Sequence, residues 1–401
     1  MQIHRHIAAA GALLAVAQSY AQPPVGDLAD GQGKELVQTV CFSCHTAFNI
    51  IGAAGYDSPE DWRAVFGTMV DLSDAQASTI ASYLAEYYPA RPGRAPVLID
   101  GPAQIEITEW QAPTLGQRTR DPVEAPDGSI WWTGMYASLV GRLDPATGAM
   151  EEYKLPVSAR PHSIVPDAEG NIWYTGNSNG TIGKLDPTTG LVTQYPTQAN
   201  DPHSATFHPN GKLYFTAQNS NMLGMLDPAT GEVKEVATEP RPYGIQVAAN
   251  GTVWVAYNGT NKIGAVDPET LDVRYYDIPN AESRIRRLGL DSKGFVWYVN
   301  GTQGSVGRLD PATGEVKEWP SPSGARSQPY ALAVIDDKVW YNESGMRPDT
   351  LVRFDPASEQ FQSWAIPSGV GIVRNMWVTK DNNLLIHQSS TNKIGLVKII
   401  N

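Results

Sequence analysis

The stretch RPHSIVPDAEGNIWYTGNSNGTIGKLDPTTGLVTQYPT, residues 160–197, is one copy of a unit that fills most of this chain. It predicts four strands, HSIV, NIWYTG, TIGKLD and LVTQYP, because short runs of β-branched and aromatic residues alternate with turn residues. Its apolar-Asp-Pro tag recurs at steps of 40 to 45 residues, at Asp144, Asp186, Asp227, Asp267, Asp310 and Asp355. Such a period predicts an array of four-stranded units.

Four strands in about 40 residues match one blade of a β-propeller. Counting the units predicts seven blades over residues 103–401. The segment QIEITEWQAP matches the fourth strand, which the last unit lacks, so we expect Ile105 to Trp110 to complete the last blade and close the ring. One tryptophan recurs at the same place in five blades and is interpreted as part of the core. The Asp-Pro pairs are interpreted as turn residues. These tryptophans are Trp131, Trp173, Trp254, Trp297 and Trp340.

The first strand of each blade should line the central channel, so residues at its start should meet at one mouth. Aligning the blades on the tryptophan gives His162, His203, Tyr243, Arg286, Tyr330 and Arg374. The sequence of blade one is too irregular near Pro122 for its residue at this position to be identified. The set predicts a polar, cationic funnel that fits a carbonyl, carboxylate or phenolate ligand. The alternative is that water-filled channel mouths are polar in any propeller, and both interpretations stay open.

The only two cysteines of the chain lie in TVCFSCHTAFN, residues 39–49. Cys-x-x-Cys-His is the pattern of covalent c-type haem attachment. Thiols three apart on a helical turn, Cys41 and Cys44, can reach both vinyl groups on one haem edge, and His45 then points at the iron. A redox dithiol would need a βαβ setting, and a zinc site would need a second ligand pair. We therefore predict one covalent haem c.

Helix-start signatures surround this motif, with Ser58 before Pro59 and Asp61, and with Ser73 before Gln76. Three short helices over residues 22–90 resemble a class I cytochrome c, closest to the small modules fused to periplasmic dehydrogenases. The resemblance implies a thioether as the sixth iron ligand. Met69 lies between the middle and last helices and is the candidate, the alternative being packing filler. His/Met ligation suits electron transfer.

Residues 1–21 have the pattern of a secretory signal, with Arg5, an apolar run from Ile7 to Ala17, and small residues before a cut. The run is too short to span a bilayer. The sequence thus predicts a periplasmic protein with no membrane span, and residues 91–102, rich in Pro and Gly, predict a linker. The net charge of -12 argues against a nucleic-acid partner. The predicted fold class is multidomain, a small all-α cytochrome c domain followed by an all-β seven-bladed propeller.

The units RPHSI, DPHSA and RPYGI, followed by Trp and then by IG-x-LDP-x-TG, resemble the streptogramin B lyases. That family consists of seven-bladed propellers that open a cyclic depsipeptide by β-elimination with magnesium, and the resemblance covers most of residues 103–401. Its functional pattern is a His, then an acid-Pro-His, then a Tyr in successive blades. The pattern falls on His162, on Asp201 with His203, and on Tyr243, circularly shifted relative to the family's chain order.

The resemblance implies His203 as the base that takes an α-proton, His162 as its assistant, and Asp201 as a group that polarises the carbonyl. The chain departs from the family at two places. Gln218 stands where the family has a second metal-binding glutamate, and an amide is a weaker ligand for a hard cation. Asp201 is one methylene shorter than the family's glutamate.

Three functional hypotheses follow. The first is an electron-transfer protein whose propeller binds a small-molecule substrate or a redox partner protein. The second is a magnesium-dependent carbon–oxygen lyase of the virginiamycin B type that carries an accessory haem domain. Elimination is redox-neutral, so the haem would take no part in that chemistry. The third is a non-catalytic interaction scaffold.

Overall fold

The computed structural model describes residues 27–43, 47–51, 56–89, 93–156 and 158–400. The predicted signal segment, Cys44 and His45 lie outside the described residues. Four helices come first along the chain: α1 (Lys34–Cys41), α2 (Ala47–Ile51), α3 (Pro59–Gly67) and α4 (Asp74–Tyr87). Within the described part of the chain, none of the helices combines the length and apolar character needed to cross a membrane.

Both predicted helix starts are confirmed, because Ser58 and Asp61 form a capping box on α3, and Ser73 and Gln76 form one on α4. The predicted helix leading into the cysteine motif is α1, which ends at Cys41. The expectation of three helices misses α2, which has 5 residues. A helix this short carries no periodic pattern. Helices of this length are unstable alone, and a shared apolar core stabilises them here.

The rest of the described chain forms seven antiparallel sheets of four strands each. The strands of the first half are β1 (Gln104–Gln111), β2 (Thr119–Glu124), β3 (Ile130–Gly134), β4 (Leu139–Leu143), β5 (Met150–Lys154), β6 (Pro161–Pro166), β7 (Ile172–Gly176), β8 (Thr181–Leu185), β9 (Val192–Pro196), β10 (Pro202–Phe207), β11 (Leu213–Ala217), β12 (Met222–Leu226) and β13 (Val233–Ala237).

The strands of the second half are β14 (Pro242–Val247), β15 (Val253–Tyr257), β16 (Lys262–Val266), β17 (Val273–Asp277), β18 (Ile285–Leu290), β19 (Val296–Asn300), β20 (Ser305–Leu309), β21 (Val316–Pro320), β22 (Pro329–Ile335), β23 (Lys338–Glu343), β24 (Thr350–Asp355), β25 (Gln360–Ala365), β26 (Trp377–Val378), β27 (Leu384–Gln388) and β28 (Lys393–Ile400). Blades one to six take four consecutive strands each, starting at β2. The first strands of neighbouring blades contact one another, so they line the axis.

The seventh blade joins the two ends of the propeller chain. Its strand order is β1-β28-β27-β26, and β1 pairs with β28 from Gln104 opposite Ile400 to Gln111 opposite Lys393. The predicted role of Ile105 to Trp110 is therefore confirmed. Closure leaves the ring with no gap between its first and last blades, and this removes two exposed sheet edges.

The glycine of the repeated IG-x-LD tag has a packing cause. Gly183 lies directly opposite Tyr174 in the β7–β8 pair, and a Cβ on it would overlap the Tyr174 ring. The same pairing recurs in three other blades, as Trp132 with Gly141, Phe215 with Gly224, and Tyr298 with Gly307. The five recurring tryptophans are buried, which confirms their interpretation as core. The tag thus marks where an aromatic ring lies across the neighbouring strand.

The innermost strands of blades one to six share a register irregularity, which follows the first residue in blades two to six and the second residue in blade one. In β6 it falls between Pro161 and Ile164. A bulge leaves residues unpaired and re-aims their side chains, and bulges are common beside functional sites. In blades two to six the second and third residues of the inner strand are in this position, and in blade one they are Asp121 and Pro122.

The described part of the predicted linker lies along blade six. Val97 donates its backbone N–H to Ser323 at 3.0 Å, and Ile99 donates to the Ser363 hydroxyl at 2.9 Å. Ala103 donates to the side chain of Gln362 at 3.1 Å. The connection between helices and propeller is thus fixed to the outer face of one blade.

Candidate functional site

The bulged inner strands bring a chain of aromatic rings together on the propeller axis. The rings of His162 of β6 and His203 of β10 are tilted by 34° with their centroids 3.6 Å apart, and the His203 centroid lies 4.2 Å from that of Tyr243 of β14. Tyr243 and Tyr330 of β22 share a short hydrogen bond between their phenol oxygens. All four side chains are no more than 5% exposed. Residues up to 168 positions apart therefore meet as the blade alignment predicted.

Both predicted arginines contact the same tyrosine. Arg374 Nη1 lies 3.4 Å from the Tyr330 oxygen, and the Arg286 guanidinium lies 4.4 Å from the Tyr330 ring centroid. All six residues of the predicted ring are therefore joined through direct contacts. We call His162, His203, Tyr243, Arg286, Tyr330 and Arg374 the axial ring.

Blade one contributes Arg120, which the sequence comparison of the blades left unplaced. Its Nη1 lies 2.7 Å from His162 Nε2. A signal was present, because Arg120 stands 11 residues before Trp131, as His162 stands 11 before Trp173. The irregular Arg120-Asp121-Pro122 sequence hid it. Arg120 thus occupies the ring position of the first blade.

A second layer below the ring was also missed. Arg287 donates to the Ser204 hydroxyl at 3.0 Å and lies 3.6 Å from the Asp121 carboxylate. Both members of that ion pair are almost fully buried. They occupy the third position of the inner strand, whose side chains the alignment did not consider. The axis is therefore more highly charged than the sequence analysis indicated.

The histidines of the axis are neutral. Burial lowers the pKa of His162 and His203 well below 6.5, and neighbouring positive charges lower the pKa of both further. Arginine can only donate, so Arg120 assigns the His162 proton to Nδ1. Gln218, with its amide nitrogen facing His203, donates to Nε2 at 3.3 Å. In this arrangement each histidine accepts a hydrogen bond at Nε2.

The two phenols differ in acidity. Burial raises the pKa of Tyr243 to about 12. Burial also raises the pKa of Tyr330, but Arg374, Arg286 and Arg120 outweigh it and lower that pKa well below 10. These opposite shifts favour Tyr243 as the donor and the Tyr330 oxygen as the acceptor of their hydrogen bond. Tyr330 is the group of the ring best suited to carry negative charge.

Asp201, predicted to polarise a carbonyl, caps a turn. Its carboxylate accepts hydrogen bonds from the backbone N–H groups of Asn219 and Ser220 at 2.6 and 2.9 Å. It also accepts from the Ser220 hydroxyl at 2.5 Å. The turn between β11 and β12 thus occupies both carboxylate oxygens. Among the residues that the structure describes, no group of three or more His, Cys, Asp or Glu side chains could hold a metal ion.

Asp201→Ala is expected to lower the free energy of unfolding by about 2–4 kcal/mol, because three donors lose a charged acceptor. Chemical denaturation measures this loss. The matched control is Asp227→Ala, since Asp227 accepts from Ala229 in an exposed turn of the same blade and its loss should cost less. Unchanged stability together with weakened magnesium binding would instead make Asp201 a metal ligand.

A cavity of about 100 Å³ lies between the helices and the propeller mouth. Its apolar wall contains Ile50, Trp62, Val65, Phe66 and Leu84. Cys41 and Met69 both line this cavity, so the structure brings together the first predicted thioether and the predicted axial methionine. The propeller contributes polar residues, which are Arg118, Tyr136, Arg374, Ser389, Ser390 and Asn392. Arg374 therefore belongs to both the cavity and the axial ring.

Hydrogen bonds join the two walls of this cavity. Tyr56 donates its phenol to the Ser390 carbonyl at 2.6 Å and accepts from the Asn392 amide at 3.0 Å. Leu115 donates to the Thr68 hydroxyl at 3.2 Å and packs against the helical core. A Cβ on Gly116 would overlap the Met69 methyl group. The helices are thus docked on the mouth that carries the axial ring.

A further cavity, of about 50 Å³, lies beyond the ring along the axis. Inner-strand residues such as Ser163, Ser204 and Arg287 line it, together with Asn375 and Trp377. Four buried side chains of the ring, which are His162, His203, Tyr243 and Tyr330, contact one another between this chamber and the cavity under the helices.

The propeller shares its fold with solved structures of lyases. A streptogramin B lyase structure matches with a TM-score of 0.67 at 23% identity, covering 74% of this chain and 98% of that chain. Virginiamycin B lyase from Staphylococcus aureus matches with a TM-score of 0.66 at 20% identity, covering 74% and 100%. A catalytically inactive variant of the latter, with quinupristin, gives 0.66 at 21%, covering 74% and 100%. Identities this low show a shared fold.

A search of curated proteins gave no match. The family model for the virginiamycin B lyases matches residues 103–226 and 228–400, which is nearly all of the propeller. This match supports the lyase-like hypothesis for the propeller better than electron transfer. The matched region begins after the helices, so the interpretation of the helical segment rests on its own residues. By its propeller, the chain belongs to the virginiamycin B lyase family.

Proposed function

We propose that this protein is a haem-bearing member of its family, in which the helical segment carries one covalent haem c and serves electron transfer beside the propeller mouth. The observation that carries the proposal is the cavity lined by both Cys41 and Met69. Bound there, a haem with His and Met ligands would supply one-electron transfer at a raised potential.

The residues of the cavity fit such a group in three ways. The wall is largely apolar, as a planar macrocycle requires. Burial raises the pKa of the Cys41 thiol to about 11, so this sulfur is suited to an uncharged thioether and unsuited to a reactive thiolate. Trp62 Nε1 is buried with no hydrogen-bond partner among the described residues, and it faces a cavity that could supply an acceptor.

The chain's own residues then have defined tasks. Cys41 and Cys44 would hold the haem covalently, and His45 and Met69 would ligate the iron. The docked helices exclude water from the propeller side of the cavity. The axial ring, joined to the cavity by Arg374, would orient a small polar ligand or substrate within reach of the cofactor. The predicted signal segment would direct the protein to the periplasm.

A second candidate function is elimination on a cyclic depsipeptide, which the family match favours. In it, His203 would take the α-proton. Two observations argue against this role of His203 as the base. His203 is 2% exposed, and Gln218 already faces its Nε2. The magnesium site implied by the family would also need Asp201, whose oxygens are occupied by the β11–β12 turn.

The test is to produce the full chain in a bacterial host that has the haem c maturation machinery. We expect a mass increase of one haem on the processed chain, a haem-stained band on a denaturing gel, and a reversible reduced spectrum. Absence of covalent haem would refute the electron-transfer proposal. In parallel, quinupristin is incubated with the protein, with and without magnesium, and its linearisation is followed by mass spectrometry. Linearisation would establish the lyase function.

A further inference from the structure

Three arginines lie together where the cofactor cavity meets the propeller axis. Arg118 and Arg374 line the cavity, and Arg120 adjoins them inside the mouth. No ion pair joins any of the three to a carboxylate within the described residues. The nearest ion pair on the axis is the one between Arg287 and Asp121. The mouth therefore carries an excess of positive charge.

This excess is costly in the folded protein. Burial, and then the positive charges of Arg120 and Arg374, lower the pKa of Arg118. Burial and Arg374 likewise lower the pKa of Arg120. Guanidinium groups nevertheless stay charged in proteins. Arg120 is buried, whereas Arg118 and Arg374 are half-buried and open to the cavity. Charges in such positions are normally paired, so the cluster is suited to bind an anion from the cavity.

Phenol oxygens accept hydrogen bonds from two arginines of the cluster, and other donors at this boundary have no partner among the described residues. The Arg118 guanidinium donates to the Tyr136 phenol, and the Arg374 guanidinium donates to the phenol of Tyr330. Arg374 Nε and Trp62 Nε1 are buried and have no partner among the described residues. Both side chains line the same cavity, one from the propeller and one from α3. Arginine forks match planar carboxylates, and indole N–H groups donate to them.

We propose that Arg118 and Arg374, together with Trp62, form a carboxylate-binding site across the boundary between the helices and the propeller. The inference deepens the proposed function. The carboxylate can come from two sources, and the inference rests on the proposed function only for the first of them. The first source is the pair of carboxylates that a haem itself carries. The second is a free small carboxylate that enters the mouth as a ligand. In either case the propeller supplies the positive charge and the helical segment supplies the indole donor.

The two sources predict different behaviour. If the haem carboxylates bind the arginines, the guanidiniums stabilise the reduced cofactor, because reduction adds negative charge nearby. The haem midpoint potential then depends on propeller residues. If a free carboxylate binds, added carboxylate should saturate the site and raise the unfolding temperature, while the potential without it is insensitive to the arginines.

The experiment compares the holoprotein with Arg118→Gln, Arg374→Gln and the double variant. Arg118→Lys retains the positive charge, and it keeps the test valid if the Gln variants fail to fold. The control is Arg274→Gln, since Arg274 stacks on Tyr276 away from the mouth. Midpoint potentials are measured by spectroelectrochemical titration, and succinate is titrated while the haem spectrum and the unfolding temperature are recorded.

A potential that falls in each Gln variant and most in the double variant, but not in Arg274→Gln, supports the site with haem carboxylates bound. Saturable succinate binding that the Gln variants lose supports the site with a free carboxylate. If neither of these two results is observed, the proposal is overturned. Should the protein carry no haem, the proposed function fails, and the succinate titration alone still decides whether the site exists.

Discussion

Replacing Cys41 and Cys44 together by alanine is expected to abolish covalent haem attachment. Each thioether requires one thiol, so the double variant has no bond that survives denaturation. Each single variant should retain one thioether and bind haem at reduced yield. The measurement is haem staining on a denaturing gel together with the intact mass. The propeller should stay folded, because its strands and core lie outside the helical segment.

Met69→Ala is the matched variant for this experiment. It should leave covalent attachment intact, since the thioethers are unaffected. It should also remove the sulfur ligand, change the spin state and lower the midpoint potential, because methionine ligation raises haem potentials. Covalent haem that persists in the double cysteine variant would contradict the assignment of the motif. An unchanged spectrum in Met69→Ala would show that Met69 only packs.

Lowering the pH from 7 to 5 is expected to destabilise the propeller by about 6 kcal/mol through three histidines, about 2 kcal/mol each. Burial lowers the pKa of His162, His203 and His387 well below the value of 6.5 expected in the unfolded chain. Below pH 6.5 the unfolded state therefore binds protons that the folded state excludes. The contribution is fully present above that pH and is lost as the pH falls toward the folded-state pKa values.

Denaturant unfolding at pH 7, 6 and 5 measures this dependence. His162→Gln keeps an acceptor for Arg120 and should flatten the pH dependence by one proton, and His387→Gln should do the same. The control is Thr175→Val, because Thr175 donates to the His203 carbonyl at 2.9 Å without titrating. It should lower stability equally at each pH. Parallel curves for the native protein and the histidine variants would mean that the axis is hydrated and its histidines titrate freely.

The axial ring shows which site residues an alignment of the repeats can predict and which it misses. Spacing from the tryptophan identified all six of its members, because most blades repeat similar strand lengths and turns. It did not place Arg120, although that residue has the same spacing, because blade one lacks the proline that starts most other inner strands. Arg287 and Asp121 were not considered, because a bulge turns a third inner-strand residue toward the axis and a strict two-residue alternation hides it.

The sequence by itself determined the seven blades, the closure by β1, the helix caps and the cysteine motif. These features arise from local periodicity and turn chemistry, which repeat along the chain. Only the tertiary structure decided that Asp201 caps a turn, since its donors lie 18 and 19 residues away in the β11–β12 turn. It also decided that Cys41, Met69, Arg118 and Arg374 share one cavity. That juxtaposition depends on how helices dock on a closed ring, and no spacing within either part encodes it.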